Sequence, residues 1–103
     1  MPVFSARLYT QGSFSVRYGR IEFRAKMPRG DWLWPALWMM PENEDFYGPY
    51  PSDGEIDVLE TRGNRQYREW EGGPSVGVDW ASSTMHWGPD EEHNGFAQTE
   101  WQW

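Results

Sequence analysis

Residues 20–26, RIEFRAK, alternate without a break: Ile21, Phe23 and Ala25 fall on one side, Arg20, Glu22, Arg24 and Lys26 on the other. A period of two is the mark of a half-buried strand. The same reading applies to SFSVRY at 13–18, which runs up to Gly19. The most apolar run, WLWPALWMM at 32–40, places Trp32, Trp34, Ala36, Trp38 and Met40 on one face and Leu33, Leu37 and Met39, with Pro35, on the other. Helical spacing would also stack Trp34 on Trp38. The proline, the bulky aromatics and the length of the run favour a strand, with a bulge or irregular pairing at Pro35. EIDVLE (55–60), VGVDW (76–80), STMHWG (83–88) and GFAQTEWQW (95–103) read as further strands, separated by polar, Gly- and Pro-rich loops. There is no long amphipathic helix, no repeat and no low-complexity tract. Short strands at steady spacing predict an all-β sandwich or barrel.

Composition narrows the function. The 103 residues suffice for one small domain. There is no cysteine, which removes disulfides and thiolate metal sites. Sixteen acidic residues against nine basic give a net charge of −7. With no basic run, neither a nucleic-acid partner nor a polybasic membrane contact is expected. No apolar stretch reaches the length of a transmembrane helix, and the first residues carry no leader pattern. Eight Trp, five Tyr and five Phe make 17% of the chain aromatic. Such rings build a β core, or a surface for ring-shaped, partly polar ligands.

The stretch DGEIDVLE (53–60) holds four carboxylates among three aliphatic residues. In a regular strand Glu55 and Asp57 share a face and Glu60 lies on the other. One extra residue near Val58–Leu59, a β-bulge, would turn Glu60 to the face of Glu55 and Asp57, and bulges re-aim side chains in this way beside active sites. Three carboxylates on one face repel, so at least one should keep its proton near neutral pH. Glycoside hydrolysis needs that combination: a nucleophile, a proton donor, and a third group between them, with the outer pair about 5–5.5 Å apart when configuration is retained. From spacing alone the commoner arrangement is an acidic strand whose carboxylates simply face solvent. A calcium loop does not, because Gly54 directly follows Asp53. His86 and His93 lack metal-ligand spacing, so no metal is expected. Trp34 and Trp38 could offer flat faces to a sugar ring.

Several pieces, in this order, resemble glycoside hydrolase family 16, the laminarinase-like enzymes. YGRIEFRAK (18–26) looks like the family's YGR-x-E-x-RAK strand, WPALWMMP (34–41) like its WPA-x-W-M-x-P, and GEIDVLE (54–60) like its catalytic strand. Arg62-Gly63-Asn64 follows, as in the endo-β-1,3-glucanase branch, and STMHWGPD (83–90) is similar to a later H-W-G strand. The resemblance implies a concanavalin-like jelly roll of two packed antiparallel sheets, incomplete in this chain. It implies Glu55 as nucleophile, Asp57 as the supporting acid, Glu60 as general acid/base, Trp34 and Trp38 as sugar platforms, and Arg24 and His86 as polar cleft contacts. It implies a monomeric enzyme without cofactor that cuts a β-1,3-glucan such as laminarin internally, with retention. The alternative is a β-1,3-glucan-binding recognition protein of the same fold, a group that has lost catalytic carboxylates. Family domains run well over twice this length, so residues 1–103 are expected to be a partial catalytic domain, an internal fragment neither stable nor active alone. The full-length parent is expected to be secreted, since such polysaccharides lie outside the cell.

Overall fold

The computed structural model describes residues 4–43 and 46–103. Its regular structure is a four-stranded antiparallel sheet in the order β1 (Ala36–Met39), β2 (Glu55–Thr61), β3 (Ala81–His86), β4 (Trp101–Gln102). Each strand pairs with its neighbour in sequence, so the sheet is a meander. Two short 3-10 turns, Glu91–His93 and Gly95–Gln98, lie between β3 and β4.

β2 is the hub, paired on both edges, and its β-branched residues Ile56, Val58 and Thr61 suit a half-buried pleat. It starts from a tight turn in which Gly54 N–H donates to Pro51 O at 3.0 Å, after a cis Tyr50–Pro51 peptide bond. Gly54 has φ +82, a conformation that favours glycine. Beyond the regular ladder the β1–β2 pairing continues through Thr61 N–H to Pro35 O (3.1 Å) and Gly63 N–H to Leu33 O (2.8 Å). Pro35 therefore sits in register and not at the expected irregularity. It has no N–H to return to Thr61, which is why the regular ladder begins at Ala36.

The register does break within β2. Toward β1, Leu37 faces Leu59 while Trp38 faces Asp57, leaving Val58 without an opposite residue. Toward β3, Asp57 faces Thr84 and Glu60 faces Ser82, so Val58 and Leu59 together oppose Ser83. This is the one-residue bulge expected at Val58–Leu59. Ser83 fills it: its hydroxyl donates to Val58 O at 2.6 Å, with Asp57 O at 3.2 Å.

Directly opposite residues share a face. One face of the sheet carries Ala36, Trp38, Glu55, Asp57, Glu60, Ser82, Thr84 and His86; the other carries Leu37, Met39, Ile56, Leu59 and Met85. Ile56, Met85, Trp101 and Trp103 are exposed, and no hydrophobic residue among those described is fully buried. The all-β expectation holds, as a single sheet with an open apolar side.

Four expected strands are absent or altered. Residues 13–18, 20–26 and 76–80 form no ladder. In 20–26, Ile21 and Phe23 remain exposed: an alternating segment becomes a strand only when a neighbour takes its N–H and C=O groups. In 95–103, the first four residues wind into a 3-10 turn capped by Asn94, whose side chain accepts from Phe96 N–H, and only Trp101–Gln102 is extended.

Candidate active site

The bulge decides the site. Because Val58 is skipped, Glu60 returns to the face of Glu55 and Asp57, and Ser82, Thr84 and His86 on β3 stand directly opposite the three carboxylates.

Asp57 is the most enclosed of the three, with 4% of its surface exposed. Its Oδ2 lies 3.1 Å from His86 Nε2, and its carboxyl group also shares a hydrogen bond with Glu55. The other imidazole nitrogen, Nδ1, is 2.9 Å from the Tyr50 hydroxyl and 3.1 Å from Asn94 Nδ2. The Asn94 amide donates also to the Tyr50 hydroxyl oxygen at 3.3 Å. These partners assign the tautomer: Nε2–H donates to Asp57, and Nδ1 accepts. Phe96 stacks on the imidazole with centroids 5.6 Å apart. The Tyr50 hydroxyl has its pKa raised, chiefly by burial, and so keeps its proton to donate.

Burial, the charge of Asp57 and the hydrogen bond to it push Glu55 up to about 7, against some relief from His86. Glu60 is also raised, by burial and then by the Asp57 charge, while a hydrogen bond from Trp34 and the nearness of His86 pull the other way. Two carboxyl groups with raised pKa values flank a buried third, an arrangement suited to proton transfer and nucleophilic attack on one ligand.

The remaining predicted residues divide. Trp34 is 71% exposed and is the hydrogen-bond donor to Glu60. Trp38 lies opposite Asp57, with the Arg7 guanidinium 4.4 Å above its ring. His86 is in the site, but as the partner of Asp57. Arg24 is not brought to the carboxylates: it is exposed in the unpaired 20–26 segment and makes no hydrogen bond or ion pair with a described residue. Asp53 is buried in the turn before Gly54, with Oδ1 unpaired, on the wall of a cavity of about 510 Å³ that Glu55, His86 and Trp87 also line. Sequence reasoning missed Tyr50 and Asn94, which lie in loops with no pattern pointing to His86.

The Arg62-Gly63-Asn64 segment follows directly on Thr61 and supports the other end of β2, the Glu60 end. The Arg62 guanidinium covers the rings of Tyr67 (5.3 Å) and Trp80 (4.8 Å) and pairs with Glu69 at 3.0 Å. Gly63 lies against Gly30, so that a Cβ there would meet Gly30 O at 2.3 Å. Asn64 Oδ1 accepts from Trp32 N–H at 3.1 Å.

Residues 4–100 match the family model of glycosyl hydrolases family 16. The chain belongs to that family. Its sheet is consistent with an incomplete jelly-roll sandwich of the family's kind. Over 98 residues, 95% of the chain, it is 52% identical to a beta-1,3-glucan-binding protein of Penaeus monodon, covering 25% of that protein. It is 51% identical over 59 residues to glucan endo-1,3-beta-glucosidase A1 of Niallia circulans, 57% of the chain and 8% of that protein. It is 49% identical over 61 residues to a glucan endo-1,3-beta-glucosidase of Cryptopygus antarcticus, 59% of the chain and 22% of that protein. The chain thus spans a quarter or less of the length of these three relatives. No solved structure matches it.

Proposed function

We propose that the full-length protein is a secreted endo-hydrolase of β-1,3-glucan that works with retention of configuration. The observation that carries this reading is the Val58 bulge, which sets Glu55, Asp57 and Glu60 on one face. In the proposed reaction ionised Glu55 attacks the anomeric carbon while Glu60 passes its proton to the departing glycosidic oxygen. A glycosyl ester on Glu55 and a shortened chain with a free hydroxyl result. Glu60, now a carboxylate, takes a proton from water as that water attacks the ester; Glu55 leaves as carboxylate and the sugar is released. Asp57 shares a proton with Glu55 before attack, and the hydrogen bond from His86 fixes its direction. Once Glu55 is esterified it carries no charge, which lowers the cost of ionising Glu60 for its second role.

A second reading is a non-catalytic β-1,3-glucan-binding protein, favoured by the Penaeus monodon relative, whose match covers 95% of the chain. All three carboxylates are present, which favours the enzyme. Reducing-end release from laminarin by the full-length protein and its Glu55→Gln variant separates the two. The enzyme reading expects hydrolysis by the wild type, at least a thousandfold loss in the variant, and laminarin binding by both. Equal release from both refutes the role of Glu55; binding without release by either establishes the binder.

A further inference from the structure

Trp32 is placed as few tryptophans are. It occupies the second central position of the turn Gly30–Leu33, closed by Leu33 N–H to Gly30 O at 3.2 Å, and its φ is +70. That position favours glycine or asparagine; a bulky side chain there is strained. It is the only non-glycine residue with positive φ among those described. Yet its side chain gains no burial in exchange, being 80% exposed. The conformation is held from below by Asn64, 8% exposed, whose Oδ1 grips the Trp32 N–H. The ring is steadied from the side by Tyr67, edge to face at 6.1 Å and 76°, and Tyr67 in turn lies under the Arg62 guanidinium. Trp32 stands two residues before Trp34, the tryptophan hydrogen-bonded to Glu60, at the end where β1 and β2 run on past the regular ladder.

A strained backbone that presents a fixed, solvent-facing indole at the Glu60 end of β2 is a pre-organised surface. We propose that Trp32 is an additional aromatic platform that binds a sugar ring of the β-1,3-glucan chain beyond Trp34, on the Glu60 side of the site. Its flat face takes the C–H side of one sugar ring, and Asn64 and Tyr67 are positioning residues that hold the indole ready. This inference rests on the glucan reading above but not on catalysis, because a binder would use the same platform.

The test is calorimetric titration of the full-length protein, in a Glu55→Gln background so that no bond is cut, with laminarin and with a β-1,3-linked glucotriose. Trp32→Gly removes the ring and suits the backbone. The expected result is laminarin binding about tenfold weaker, triose binding within about twofold of the parent, and a melting temperature unchanged or raised. Trp32→Phe should recover most of the laminarin affinity. Unchanged laminarin binding by Trp32→Gly overturns the platform, and so does a lowered melting temperature with both ligands weakened alike. If the parent binds no glucan at all, the proposed function fails and takes the platform with it; if the parent binds and only the variant result is negative, the platform alone is lost.

Discussion

Replacing Ser83 with alanine tests whether the bulge aims Glu60 or merely accommodates it. The Ser83 hydroxyl has one proton to give, and the 2.6 Å approach to Val58 O identifies the main acceptor over Asp57 O at 3.2 Å. Toward β3, Val58 and Leu59 share Ser83 as their single opposite residue, so this hydroxyl substitutes for a ladder bond at the bulge. Losing one neutral hydrogen bond costs about 1 kcal/mol, and leaving a half-buried carbonyl unpaired brings the total to about 1–2 kcal/mol. In a full-length domain of well over twice this chain's length that is a fall in melting temperature of roughly 2–8 °C. The effect on reaction should be larger than this, since a displacement of about 1 Å at a reacting group can cost on the order of a hundredfold. The expected result for Ser83→Ala, measured on laminarin well below its melting temperature, is a kcat lowered about tenfold or more with KM within about twofold. A protein that melts lower but turns over at the wild-type kcat would refute the argument that the bulge sets the direction of Glu60.

Two further outcomes follow from the same geometry. Glu55 is pushed up to about 7 from its ordinary 4.5, so its contribution to stability is fully present below about 4.5 and is lost as pH rises through about 7; the melting temperature of the wild type should fall across that window by more than that of Glu55→Gln, and parallel curves would contradict the assignment. At Gly63 an added Cβ would lie 2.3 Å from Gly30 O and 2.9 Å from Leu33 Cβ, so Gly63→Ala should lose about 3 kcal/mol or more by chemical denaturation, and a loss below about 0.5 kcal/mol would show that the two backbones do not meet there.

What could be read from the sequence was whatever is encoded within a single strand. The step from Glu55 to Glu60 spans five residues, and only an inserted residue reconciles that parity with one shared face; the bulge was legible for that reason. What could not be read was partnership across strands. Residues 20–26 alternate cleanly, but alternation names a face and not a neighbour, and no described strand pairs with them. The resemblance implies His86 as a polar cleft contact, but its pairing with Asp57 depends on the register of β3 against β2 and on Asn94 eight residues on, which no single strand encodes. Asn64 and Trp32 are separated by 32 residues, and the turn that joins them breaks the usual preference for glycine. Such a violation of local propensity cannot be predicted from local propensity.

The sheet order follows the chain without a crossover, and this bears on how the carboxylates come together in time. β2 meets β1 across a loop of roughly fifteen residues and β3 across one of roughly twenty, and closing loops of such length is entropically cheap and fast relative to long-range pairing. The central ladder can therefore zip during synthesis, while later residues are still being added. Glu55, Asp57 and Glu60 thus meet at the start of folding, when water still screens them, and their mutual repulsion sharpens only as the surface around them closes. The acidity of the compartment in which the chain is made then bears on the rate of its assembly as well as on its final stability.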